Sequence, residues 1–68
     1  MWTGERIKKL RKGYGETQAE FCLRLRVKIE TLKYWEQDKG QPSGPAFLLL
    51  DRLEEDLREG KIRQLQSA

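Results

Sequence analysis

Between Lys28 and Gln37, side chains of mixed chemistry gather on one side of the chain at helical spacing. At about 100° per residue, Ile29, Glu30, Lys33, Tyr34 and Gln37 cluster opposite an apolar pair, Leu32 and Trp35, with Lys28, Thr31 and Glu36 on the flanks. The cluster brings a carboxylate, an ammonium, an amide, a phenol and an aliphatic group to a single surface. Solubility alone does not demand that variety. It is the range of acceptors, donors and apolar contacts with which a helix reads base edges. Catalytic chemistry has far less to work with. The chain has no histidine and a single cysteine, Cys22, so it offers no disulfide framework, no Cys/His zinc set and no His-dependent triad. No enzyme activity, metal or cofactor is expected, and Cys22 reads as a small core residue.

Sixty-eight residues, 37% of them hydrophobic and 37% charged, suffice for one small, surface-rich domain. The net charge of +3 is unevenly spread. Residues 1–40 hold ten Lys/Arg against six Asp/Glu, and residues 41–68 hold four against five. A basic front suits phosphate, and a near-neutral rear suits a protein partner. The longest apolar run, Ala46 to Leu50, is far short of the roughly 20 residues that span a bilayer, and no apolar leader opens the sequence. A cytoplasmic protein is expected.

Breakers and caps divide the chain into four helical segments with no strand pattern. Thr3 is placed to cap a first helix to about Lys12, with Trp2 and Ile7 at the two positions of a hydrophobic staple, and Gly13 and Gly15 end it. Thr17 and Glu20 form a capping box that opens a second helix from Gln18 to about Leu25, whose inward set is Ala19, Phe21 or Cys22, and Leu25. A third helix is predicted over 28–37. Ser43 is expected to cap the fourth, over about 44–58, with Pro45 in its first turn and Gly60 beyond its end. Ala46, Leu49, Leu50, Leu53 and Leu57 form that helix's buried stripe. Phe47 and Leu48 fall outside it and, with Ile62 and Leu65 of the tail, are candidates for a dimer contact.

Two short helices around a tight turn, the second bearing the mixed surface, make a helix-turn-helix pattern. The stretches TQAEFC (17–22), LRV (25–27), TLKYWEQ (31–37) and QPSGPA (41–46) resemble, in order and spacing, the Cro/XRE family of DNA-binding domains, over Glu5 to Leu53. The resemblance implies an all-α, compact four- to five-helix bundle of the lambda-repressor-like type. Residues 18–25 would be its positioning helix and 28–37 its recognition helix. It implies a phosphate contact at Gln18. It also implies an ion pair between Arg11 and Glu36, as in phage repressors of the family, locking the first helix to the third.

The expected groove-facing set is Lys28, Ile29, Glu30, Lys33 and Tyr34, with Lys39 and Gln41 as backbone contacts. Ile29 would meet a thymine methyl, Glu30 a cytosine amino group, Lys33 a guanine or phosphate, and Tyr34 a sugar or phosphate. The chain departs from the family at three positions. Arg26 stands where a turn glycine is usual, so the turn must be left-handed at a steric cost or of another type. Lys28 stands where Ser or Thr normally caps, and Asp38 replaces a glycine. Glu30 and Asp38 also put negative charge near the surface assigned to DNA.

The expected function is sequence-specific binding of double-stranded DNA by a small autoregulating repressor, as a homodimer on an inverted repeat. Similarity to HigA-type antitoxins makes neutralisation of a toxin a second expected role. A protein-interaction module that has lost its DNA contacts is the alternative from another class.

Overall fold

The computed structural model of the chain describes residues 1–60. These hold four helices and no strand: α1 (Gly4–Gly13), α2 (Gln18–Leu25), α3 (Ile29–Glu36) and α4 (Pro45–Arg58). Ile62 and Leu65, named above as dimer candidates, lie outside the described residues.

Local chemistry accounts for where the helices begin. The Thr3 hydroxyl accepts from the Arg6 N–H at 3.2 Å, and Trp2 and Ile7 on either side of that cap are both buried. At α2 the capping box is complete: Glu20 N–H donates to the Thr17 hydroxyl, and Thr17 N–H donates to the Glu20 carboxylate. Lys28 precedes α3 without supplying a side-chain cap. Ser43 does not cap α4. Gly44 is the N-cap, at φ 60° and ψ −135°, with Pro45 directly after it. The chain swings into the helix through a conformation that glycine adopts readily, which leaves the Ser43 hydroxyl one residue too early to reach the first turn.

The ends of α1, α2 and α3 share one device. In each, a residue at positive φ follows the helix: Gly15 at 69°, Arg26 at 60° and Asp38 at 60°. The residue after it then donates back five positions, Glu16 to the Arg11 carbonyl, Val27 to that of Cys22 and Lys39 to that of Tyr34. This is the Schellman closure, which satisfies otherwise orphaned helix carbonyls. Arg26 therefore takes the left-handed alternative, and two L-residues carry a steric cost normally avoided with glycine.

Trp2, Ile7, Leu10, Tyr14, Phe21, Cys22, Leu25, Leu32, Trp35, Leu50 and Leu53 form the core. Phe21 and Cys22 are both inside. Ala19 is exposed, contrary to its assignment to the inward set, because it lies roughly 120° around α2 from the centre of the buried arc. On α4, Leu50 and Leu53 are buried while Ala46, Leu49 and Leu57 pack at the margin. Polar ties fasten α1 and its flanking residues to α4. The Trp2 indole donates to Asp51 at 2.8 Å, Arg6 grips both Glu54 oxygens and stacks on Trp2, and the Tyr14 hydroxyl donates to the Leu53 carbonyl. Among the described residues no helix is long and apolar enough to cross a membrane.

Candidate nucleic-acid interface

α3 turns Leu32 and Trp35 into the core. A 3.6-residue repeat then drives Glu30, Lys33, Tyr34 and Gln37 outward, and all four are exposed. Tyr34 is the most prominent aromatic of this stripe, 51% exposed. Lys28 at the start of α3, and Lys39 and Gln41 just beyond its end, are exposed as well. Ile29 is not free in the same way. It is half-buried and packs against the core, because the first turn of α3 leans on the bundle, so only part of its side chain is left for a ligand.

The back of α3 is anchored by charge. Glu36 is the one buried charged residue among those described, 4% exposed. Arg11 of α1 grips it at two points, Nε to Oε2 at 2.9 Å and Nη2 to Oε1 at 3.2 Å. Gln18, the first residue of α2, donates from Nε2 to Oε1 at 3.0 Å. Arg11 also donates to the Glu16 carbonyl. One carboxylate thus ties α1 and α2 to the end of α3, and a buried carboxylate with several donors avoids the penalty of an unpaired charge. The Gln18 amide is held by protein. One of its N–H donors serves Glu36, so any phosphate contact falls to the other.

Two residues outside the expected roles hold the far end of this surface. Asp38 directs its carboxylate onto the Gly4 amide, Oδ1 accepting at 2.7 Å, at the donor-rich beginning of α1. Gly4 itself presses on the backbone carbonyl of Glu36, with no room for a Cβ. Asp38 therefore acts as a clamp between α1 and the loop after α3. Gly40 lies against the Tyr34 ring. The Asp38 clamp leaves no local sequence signal, since its partner stands 34 residues away.

The ion pairs Arg6–Glu54, Arg11–Glu36, Arg24–Glu16, Arg52–Asp56 and Arg58–Glu54 all use arginine. Lys28, Lys33 and Lys39 take part in none of these pairs. Glu54 is held below the usual carboxylate range, first by its hydrogen bond from Arg6 and against the opposing effect of burial. Burial pushes the Tyr14 phenol up. Glu54 sits on α4 against Arg6 of α1, and the Tyr14 hydroxyl meets the Leu53 carbonyl of α4, so neither group belongs to the exposed stripe of α3. Among the described residues no cluster of His, Cys, Asp or Glu is placed to hold a metal ion.

Phe47 and Leu48 lie at the surface of α4, and Leu48 is 68% exposed. Leu23 on α2 is a further exposed leucine that the sequence pattern does not single out. No family model, characterised protein or solved structure matches the chain.

Proposed function

We propose that the chain binds double-stranded DNA by sequence, as a helix-turn-helix domain with α2 as positioning helix and α3 in the major groove. The observation that carries this reading is the exposed stripe Glu30, Lys33, Tyr34 and Gln37 on a helix whose rear is locked to two others through Glu36. In a helix-turn-helix the recognition helix reads base edges at an angle fixed by such a support. Lys28 and Lys39 stand at the two ends of α3, in none of the ion pairs described above, as cations suited to flanking phosphates.

Asp38 no longer counts strongly for the rival reading, a protein-interaction module without DNA contacts, because its carboxylate is taken up by Gly4. Glu30 remains as a group that selects cytosine and disfavours other partners. Phe47 and Leu48 support a homodimer through α4, which would set two copies of α3 about 34–36 Å apart on an inverted repeat. Repression of its own promoter is the regulatory outcome proposed for such a reader.

Selection of bound fragments from a random duplex pool, followed by footprinting, tests the reading. A consensus half-site is expected, with affinity falling steeply as salt rises. Lys33→Ala and Tyr34→Ala should each weaken the selected site by about 1–3 kcal/mol. Failure to enrich any duplex at low salt would dismiss the assignment. Sedimentation equilibrium tests the dimer: wild-type should associate, and Leu48→Glu should remain monomeric.

A further inference from the structure

We propose that Gly40 is a positioning residue for Tyr34, so that discrimination between duplex sequences depends on a glycine with no part in the interface itself. This deepens the nucleic-acid reading of α3 and rests on it. A Cβ at residue 40 would stand 2.5 Å from Tyr34 Cε2 and 2.9 Å from Cδ2, closer than real contacts allow. Gly40 is not among the glycines at positive φ, so its backbone suits any residue. The demand for glycine comes from the ring alone. The loop is brought to the ring by the end of α3 itself, where Lys39 N–H donates to the Tyr34 carbonyl at 3.1 Å.

A half-exposed tyrosine on a helix ordinarily samples more than one rotamer. Here one edge of the ring lies against Gly40 while the residue stays half exposed, which narrows the orientations open to it. A ring held in place before binding loses less freedom on contact and meets a base at a set angle, in place of the sugar or phosphate contact expected from the sequence. Phosphate contacts by flexible lysines gain nothing comparable, so the seat bears on sequence discrimination and leaves general affinity alone.

The test is Gly40→Ala beside Tyr34→Ala and the double variant. Because the Tyr34 side chain can swing into solvent, Gly40→Ala folds with its ring displaced. Aromatic NMR resonances of Tyr34 should therefore move, while those of Tyr14, whose hydroxyl is tied to Leu53, stay. On the duplex that wild-type selects from a random pool, Gly40→Ala should bind about tenfold more weakly. On a random-sequence duplex of equal length it should match wild-type, with the same salt slope. In the Tyr34→Ala background, adding Gly40→Ala should change neither value. Unmoved Tyr34 resonances, an equal loss on both duplexes, or an undiminished loss without the ring would overturn the inference. A wild-type protein that selects no duplex overturns the DNA reading instead, and the resonances then report the seat separately.

Discussion

The carboxylate of Asp38 accepts a hydrogen bond from the amide of Gly4 at 2.7 Å, joining the loop after α3 to the first turn of α1. The same residue closes α3 at φ 60°. Two physical demands thus meet at one position, a left-handed backbone and an anionic acceptor at a helix N-terminus. Asp38→Ala loses the acceptor and keeps the strain, so it should destabilise by about 2 kcal/mol in urea denaturation. Asp38→Gly relieves the strain while losing the acceptor and should cost about 1 kcal/mol. If the two variants melt alike, the backbone carries no strain there.

Glu36 receives Arg11 and Gln18 in a site almost closed to water. Glu36→Ala strands the guanidinium and should lower stability by about 3 kcal/mol in urea. Glu36→Gln keeps the shape and should lose less. Gln18→Ala removes one neutral donor of several and should cost about 1 kcal/mol. A thermal melt of Glu36→Ala that overlays wild-type would show the network to be dispensable.

Arg26 is exposed and left-handed, at φ 60° and ψ 43°. Arg26→Gly removes the Cβ clash at little loss of contact and should raise stability by about 1 kcal/mol. The gain is read as a higher urea midpoint with an unchanged m-value.

Stability should depend on pH through two groups of opposite sign. Arg6 holds the Glu54 carboxyl low by hydrogen bonding. A depressed folded-state pKa contributes stability that is complete above the ordinary glutamate value, about 4.3. It is lost as pH falls from there through the depressed value. Tyr14 runs the other way. Burial raises its pKa, so its contribution is complete below about pH 10 and is lost as pH rises through the folded value. Melting temperatures across pH should show both limbs. Glu54→Gln should flatten the acid one, and Tyr14→Phe the alkaline one.

Helix beginnings were legible because caps act within four residues. Thr3 and the Thr17–Glu20 box hold where their spacing put them. Ser43 misled because Gly44, one residue on, offered a backbone conformation that displaced the cap. Ala19 misled because a small residue satisfies either face, and the volumes of Phe21 and Cys22 decided which arc went inside. The pairing of Arg11 with Glu36 came through resemblance to a family pattern, since 25 residues separate them. The stripe on α3 followed from phase, yet Ile29 at its edge turned out half-buried, a distinction finer than 100° steps resolve.

By itself, the order of residues determined where α1 and α2 start and where the apolar stripes run, because hydrogen bonds to caps and the helical repeat are local. Packing alone decided that Asp38 faces Gly4 and that Gln18 spends a donor on Glu36. Each of these depends on distances across the bundle or around its loops, which exist only after Leu32, Trp35, Leu50 and their neighbours have left water together.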